Sequence, residues 1–245
     1  MPVICLVHGA WHHPASYHRI IDPLRACGYT VLAPVNATVG SGGSIAGKTY
    51  ADDVKRIHEV LLPHLDAGEE ATMVCHSYGG IPGTAALHGH TVEERKARGL
   101  EGGVRSVLYF AAAAVPQRGM SLYTLENDNW PGWHRQEGEM RLLNPEAMDV
   151  FYNDMPKEER ESHFAGLMYQ SHASLVTPTQ YAATEVKAPK IYVVCTNDKC
   201  IPALGQQAMA NAMGARVIEL TCGRSPFLKE AESKELVRLI MDLAT

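Results

Sequence analysis

The stretch ATMVCHSYGGIPGT, residues 71–84, decides the fold because a strand, a sharp turn and a helix start follow one another within it. Its first five residues are an apolar run of the length typical of a buried strand. Ser77 then stands two residues before Gly79, and a serine so placed between a strand and a helix is the pattern of a nucleophile elbow. Taken alone, the same letters also fit a helix N-cap serine in a tight, glycine-rich turn.

The turn would serve chemistry by lifting the Ser77 hydroxyl out of the sheet. The amide of Tyr78 and the start of the helix can then stabilise negative charge that develops on a substrate oxygen. Cys75 stands where the elbow pattern usually has its first glycine. Because cysteine is small, we interpret this as a mild departure from the pattern.

Short β-branched runs alternate with longer helix-like segments on both sides of this motif. Six runs are typical of strands, namely residues 2–7, 29–35, 71–75, 104–112, 190–195 and 215–220. Strands that alternate with helices predict an α/β fold with a mostly parallel six-stranded sheet flanked by helices. Ligands of such sheets bind beyond the carboxyl ends of the strands, so we expect the chemistry just after each strand.

One segment breaks this alternation. Residues 114–188 are irregular in pattern and contain two tryptophans and five methionines. Inserted stretches of this kind often cover a site, so we predict a cap region at 114–188, inserted after the fourth strand. The core would then consist of residues 1–113 and 189–245. An extra helical layer packed on the core is the alternative interpretation.

The end of the first strand carries the letters HGAW, residues 8–11. Gly9 would allow the backbone to approach a ligand closely, so that the amide of Ala10 points into a cavity. We expect Trp11 at the same cavity. His12 could reach its mouth, although a surface position is the more common one for such a histidine.

The ends of the last two predicted strands carry two further candidate site residues. Asp198 follows the fifth strand, where a carboxylate can orient a histidine or, more commonly, form a turn before Pro202. Arg224 follows the sixth strand. Ser77, Asp198 and position 224 stand in the chain order of a Ser–Asp–His triad, and each follows a strand.

Five segments together resemble the α/β-hydrolase superfamily: HGAWH, CHSYGGIPGT, YQSHAS, TNDKCIP and CGRSPFL. The closest similarity is to the compact group of plant hydroxynitrile lyases, salicylate methylesterases and small fungal hydrolase-like proteins. It extends from residue 2 to about residue 244 and is weakest over 114–165. It implies the fold of that superfamily, but this group catalyses ester hydrolysis, cyanohydrin cleavage and other carbonyl chemistry.

The resemblance implies Ser77 as nucleophile or hydrogen-bonding serine, Asp198 as the acid, and the Ala10 and Tyr78 amides as an oxyanion hole. Relatives commonly read CGHSPF where this chain has Arg224. Arginine has a pKa above ~12 and no acceptor nitrogen, so it cannot take a proton from the serine at neutral pH. Paired with the acid, it would leave N–H donors facing the cavity.

Other side chains could supply the missing base. His76 should point away from the cavity, because it precedes the serine in the elbow. His172 and Tyr169 lie in YQSHAS, which matches a family segment close to the pocket, and we expect both at the substrate. A cap can also bring His134 or His163 onto the site.

Composition limits the partners. The net charge of −5 includes no basic stripe, which argues against nucleic acid as a partner. No apolar run approaches the ~18–20 residues that span a bilayer, and MPVICLVHGA lacks a basic n-region, so we expect a cytoplasmic protein without a membrane partner. Without paired CxxC spacing or a phosphate-binding loop, we expect no metal and no organic cofactor.

The sequence therefore predicts a small-molecule enzyme, hydrolase-like on a small ester or lactone, with an altered triad. A first alternative is a lyase, isomerase, cyclase or decarboxylase in which Arg224 and the oxyanion hole hold an anionic intermediate. A second is a ligand-binding receptor with a degraded triad, and a third is an arginine introduced in place of a histidine. The oligomeric state stays open between a monomer and a homodimer.

Overall fold

The computed structural model describes residues 2–244. Its strands in chain order are β1 (Val3–Val7), β2 (Thr30–Leu32), β3 (Val39–Gly40), β4 (Glu70–His76), β5 (Gly103–Phe110), β6 (His134–Glu137), β7 (Met140–Leu143), β8 (Tyr169–Ser171), β9 (Lys190–Cys195) and β10 (Arg216–Leu220). Six of them form a central sheet in the order β10-β9-β5-β4-β1-β2. All neighbours in that sheet are parallel.

The predicted six-stranded parallel sheet is confirmed, and each predicted run overlaps one of its strands. The second strand is shorter than predicted, ending at Leu32 rather than at residue 35. It is an edge strand that pairs only with β1. Pro34 follows closely and has no amide hydrogen to donate, which favours an end to the strand there.

Helices cover both faces of this sheet. They are α1 (His18–Ala26), α2 (Tyr50–Asp66), α3 (Gly80–Ala86), α4 (Val92–Lys96), α5 (Leu122–Leu125), α6 (Ala147–Phe151), α7 (Lys157–Ala165), α8 (His172–Val176), α9 (Ala203–Ala212) and α10 (Glu230–Ala244). Successive strand residues point to opposite faces. In β1, Ile4 and Leu6 therefore join a core with α1 and α10, whereas Val3, Cys5 and Val7 join one with α2 and α9.

The irregular segment contributes three of the four strands of a second sheet. This sheet has the order β3-β8-β7-β6, its strands are antiparallel, and β3 comes from before residue 114. Helices α5 to α8 lie in the same part of the chain. The division into a core (1–113 and 189–245) and a cap (114–188) remains a prediction.

The turn between β4 and α3 is so tight that its serine adopts an unusual backbone conformation. Ser77 has a φ of 54°, in the left-handed region that non-glycine residues rarely occupy. A Cβ on Gly79 would lie 2.3 Å from the carbonyl oxygen of Val7. A Cβ on Gly83 would lie 2.4 Å from the Cys75 sulfur, so this glycine provides the room that the cysteine requires.

Candidate active site

The guanidinium of Arg224 lies between the side chains of Ser77 and Asp198. Its Nη1 donates to Asp198 Oδ2 at 2.9 Å, and its Nη2 donates to Ser77 Oγ. The three residues are only 4%, 7% and 6% exposed, in the order Arg224, Ser77, Asp198. The ends of β4, β9 and β10 thus bring together the three side chains that the sequence singled out, while their catalytic roles remain predictions.

Asp198 is held by four donors. Its Oδ1 accepts from the amides of Cys200 (2.7 Å) and Ile201 (3.2 Å), and its Oδ2 accepts from Gln206 Nε2 (3.1 Å) and from Arg224. One oxygen therefore forms the local turn that was weighed for this aspartate, and the other binds an arginine and not a histidine. Burial raises the pKa of Asp198, but Arg224 and the two amides oppose this and favour the carboxylate.

Arg224 is a buried cation with spare donors. Burial works to lower its pKa, but Cys200, Asp198 and Glu126 outweigh this and raise the pKa above its ordinary high value. The ring of Phe151 lies 5.7 Å from its Cζ and covers one side of the charge. Among residues 2–244, three of the five guanidinium N–H groups have no acceptor.

Two backbone amides beside the serine are also without acceptors. Neither Ala10 nor Tyr78 donates its N–H to any group in residues 2–244. Trp11, next to Ala10, has a φ of 61°. A Cβ on Gly9 would lie 2.8 Å from the Cβ of Ser77, so only glycine allows this loop to approach the elbow so closely. The pair has the free donors that an oxyanion hole requires.

His76 faces away from the cavity, as the elbow predicts, and ties three loops together. Its Nδ1 lies 2.6 Å from the hydroxyl of Tyr17, and its Nε2 lies 3.1 Å from the carbonyl oxygen of Arg224. Because that carbonyl can only accept, Nε2 carries the hydrogen and Nδ1 accepts from Tyr17, whose oxygen accepts from the amide of Gly9. Burial and Arg224 lower the pKa of His76 well below its usual range.

The serine opens onto a narrow cavity of about 20 Å³, room for about one water. It is lined by Ala10, Trp11, Ser77, Leu122, Glu126, Trp130, Trp133, His134, Cys200, Ile201 and Arg224. A second, mostly apolar cavity of about 130 Å³ adjoins it and extends to Leu125, Pro202, Gly205 and Met209. Leu122, Glu126, Cys200 and Ile201 line both cavities and therefore form the wall between them.

Of the four predicted substrate contacts, only Trp11 lines the cavity of the serine. The expectation for His12 was wrong, both at the pocket mouth and at the surface. This side chain is buried, with Nδ1 2.9 Å from the carbonyl oxygen of Ala10 and Nε2 3.1 Å from the hydroxyl of Tyr152. It supports the loop that carries Ala10.

Tyr169 and His172 do not line the cavity of the serine either, which corrects the expectation for both. Strand β8 turns alternate side chains to opposite sides, so Gln170 is buried and Tyr169 is 39% exposed beside a surface groove. His172 begins the next helix, and its Nδ1 accepts from Arg141 Nε at 3.2 Å. That bond holds the imidazole away from the serine.

Sequence reasoning missed two residues of the site. Gln206 lies one turn into α9 and donates to Asp198, so a polar residue near the start of that helix was the available signal. Glu126 directly follows α5 and lines both cavities. Its segment shows no periodicity and follows no strand of the central sheet, so no pattern pointed to it.

Comparisons with known proteins identify the family of the chain. The profile of the alpha/beta hydrolase family matches residues 6–239. The chain belongs to the α/β-hydrolase family. The α/β hydrolase nvfD of Aspergillus novofumigatus is 28% identical to it over 249 residues, covering 99% of this chain and 96% of the relative.

Solved structures of other family members share the fold. The pyrethroid hydrolase of Sphingobium faniae JZ-2 superposes with a TM-score of 0.75 at 20% identity, covering 100% of this chain and 97% of that one. Polyneuridine aldehyde esterase superposes with a TM-score of 0.75 at 18% identity, covering both chains fully. The predicted α/β-hydrolase fold is confirmed, and the chain is an α/β-hydrolase-fold enzyme.

Within residues 2–244, no helix is both long and apolar enough to cross a membrane.

Proposed function

We propose that this enzyme hydrolyses a small apolar ester or lactone without a histidine base, with Arg224 at the position where relatives have the catalytic histidine. The observation that supports this is the guanidinium in contact with both Ser77 and Asp198. Arginine offers no lone pair, so it cannot take the serine proton. A serine hydroxyl without a base is barely nucleophilic, and the conventional acyl-enzyme route is therefore not favoured.

The same contact gives the serine another use. Arg224 Nη2 donates to a lone pair of Ser77 Oγ, which leaves the serine's own hydrogen free to point into the cavity. Together with the Ala10 and Tyr78 amides, this hydroxyl makes three donors for one carbonyl oxygen. Fixed donors aimed at a developing oxyanion stabilise the transition state without reorganising. In this scheme water, and not Ser77, attacks the carbonyl carbon.

The cavities suggest the substrate class. The adjoining cavity of about 130 Å³ is mostly apolar and close in size to the engineered cavity of ~150 Å³ that binds benzene. It suits the acyl or alcohol part of an ester about as large as one aromatic ring. The space at the serine holds only about 20 Å³, so the wall between the cavities must shift for the carbonyl group to enter.

A second candidate is a lyase, isomerase, cyclase or decarboxylase. The observation in its favour is the set of three unpartnered N–H groups on a buried guanidinium. Such a group binds an enolate or carboxylate well, because it neutralises the charge without transferring a proton. In that case Arg224→Ala should abolish turnover, whereas Ser77→Ala should only reduce it.

The test offers the purified protein phenyl acetate, methyl benzoate and an aryl-substituted δ-lactone. Acid release is followed in a pH-stat, and intact-protein mass spectrometry is run during turnover. We expect acid release with no acyl adduct on the protein. An acyl group on Ser77 would contradict the histidine-free scheme. A stoichiometrically bound ligand recovered unchanged would instead indicate the receptor alternative.

A further inference from the structure

One carboxylate at the site accepts no hydrogen bond from residues 2–244. Glu126 is half-buried and lines the cavity of Ser77 and Arg224 as well as the adjoining apolar cavity. No group in residues 2–244 donates a hydrogen bond to its carboxylate, whereas Asp198 accepts four. Its oxygens are thus available to water or substrate at the place where the serine hydroxyl and the guanidinium meet.

The other titratable groups that line the serine cavity are less suited to take a proton. His134 Nδ1 lies 3.2 Å from Arg141 Nη1, which can only donate, so the neutral ring keeps its hydrogen on Nε2. It therefore has no free lone pair. Burial, followed by Arg141, lowers the pKa of His134 to about 4. Burial raises the pKa of the Cys200 thiol to about 12, so that group is uncharged at neutral pH.

We propose that Glu126 is the proton acceptor of this site and takes the role that a histidine has in the family pattern; this rests on the proposed hydrolysis. As a water oxygen bonds to the ester carbonyl carbon, one water proton passes to the Glu126 carboxylate. The π electron pair of the carbonyl moves to the carbonyl oxygen, and this oxygen accepts hydrogen bonds from Ser77 and from the Ala10 and Tyr78 amides. When the intermediate collapses, the ester C–O bond breaks and Glu126 returns the proton to the leaving oxygen.

This sequence of steps balances. Ester and water give acid and alcohol, or the hydroxy acid from a lactone, and Glu126 ends in its starting state. A general base is most effective when its pKa lies near the pH at which the enzyme works. Burial raises the pKa of Glu126, Arg224 opposes that shift and Asp198 adds to it, so the carboxylate is a stronger base than an exposed one. Arg224, Cys200 and His134 line the same cavity as Glu126, and Asp198 acts on it electrostatically.

The test compares the pH dependence of kcat/KM for phenyl acetate in wild type and in Glu126→Gln. We expect an acid limb in wild type, with a midpoint above the ~4.3 of a free glutamate. Glu126→Gln should lose about 10²–10⁴-fold of the rate and also lose the limb. Glu126→Asp should keep the limb at reduced rate. Glu146→Gln, which removes one exposed negative charge in the same segment, is the matched control and should match wild type.

A counter-ion role for Glu126 predicts a different result. If the carboxylate only balances the charge of Arg224, Glu126→Gln lowers the rate but keeps the acid limb. That outcome would overturn the proposal. Circular dichroism on each variant separates loss of the fold from loss of the base, and Glu126→Asp retains a carboxylate if the amide variant folds poorly.

A second readout does not depend on turnover. The hydrate of a phenyl-substituted trifluoromethyl ketone resembles the tetrahedral intermediate of direct water attack, and ¹⁹F NMR reports its binding. We expect binding to tighten as the pH rises through the Glu126 limb, and Glu126→Gln to lose that dependence and at least about tenfold in affinity. An unchanged profile in Glu126→Gln would overturn the proposal. A Glu126-dependent profile without ester hydrolysis would reject the hydrolase assignment and keep the base.

Discussion

Arg224 donates a hydrogen bond to the hydroxyl oxygen of Ser77, whereas a catalytic triad requires the serine to donate to its neighbour. In a triad, the neighbour of the serine accepts the serine's proton. Here the neighbour is Arg224, which donates a hydrogen bond to a lone pair of the serine oxygen and remains a cation. Asp198 still binds that neighbour at 2.9 Å, so the acid orients a guanidinium as it would an imidazole.

The first prediction concerns restoring the imidazole. Arg224→His should create an activated serine, because Asp198, the elbow and the free amides of Ala10 and Tyr78 are all in place. We expect a fluorophosphonate probe to label Ser77 in this variant and not in wild type, as measured by mass spectrometry. Arg224→Lys is the control, since it keeps the cation and gains no neutral base. Equal labelling of wild type and Arg224→His would contradict the prediction.

The second prediction concerns the buried ion pair. Arg224→Ala leaves the nearly inaccessible Asp198 carboxylate without its cation, and such losses typically cost ~3–5 kcal/mol. Urea unfolding should show this as a lower midpoint with an unchanged slope. The double variant Arg224→Ala/Asp198→Asn should be more stable than the sum of the single effects implies, because no charge is then stranded.

The exposed pair of Arg56 and Glu59 is the control for that measurement. Breaking it with Arg56→Ala should change stability by less than about 1 kcal/mol, because water screens it. If Arg224→Ala were as mild as this control, the guanidinium and Asp198 would not depend on each other as the geometry implies.

The third prediction tests the close approach of two loops. A Cβ on Gly9 would lie 2.8 Å from Ser77 Cβ and 2.9 Å from His76 Nδ1. Gly9→Ala should therefore push the loop of residues 8–11 away from the elbow and destabilise the fold by ~1–3 kcal/mol, with a loss of turnover. Gly43→Ala is the matched control, since a Cβ there meets nothing within 4 Å. Wild-type behaviour of Gly9→Ala in thermal unfolding and activity would refute the argument.

The sequence predicted the site residues that directly follow strands of the central sheet, but not those in irregular segments. Ser77, Asp198 and Arg224 each follow a strand, and parallel strands end at one edge, so their meeting could be foreseen. Glu126 and Tyr169 lie where no periodicity fixes the direction of a side chain. His12 could not be placed because its burial depends on partners far along the chain, above all the hydroxyl of Tyr152.

The fold likewise has one part that the sequence predicted, the central sheet, and one part that it did not, the second sheet. The central strands are apolar runs that turn side chains to two cores, and such runs can be recognised in the sequence. The second sheet escaped prediction because its strands are two to four residues long, and β6 reads HRQE. Such strands form through pairing with distant segments and not through local propensity.

The fourth prediction concerns acid stability. Burial is the largest cause that lowers the pKa of His8 to about 3, that of His12 to about 4 and that of His76 well below its usual range. In the unfolded chain these side chains take up protons near pH 6.5, whereas the folded chain keeps them neutral. Protonation therefore favours unfolding, and stability should fall as the pH drops from about 6.5 towards 4, by several kcal/mol in total.

Urea unfolding followed by tryptophan fluorescence at intervals from pH 7 to pH 4.5 measures this slope. His12→Asn should lower stability at pH 7, because it replaces the ring that joins Ala10 and Tyr152, and it should flatten the pH dependence by the share of one histidine. The carboxylates of the surface pairs contribute acid loss as well, but mostly below pH 5, where they take up protons. Stability that is constant between pH 6.5 and pH 5 would show that these three imidazoles are not held neutral in the folded protein.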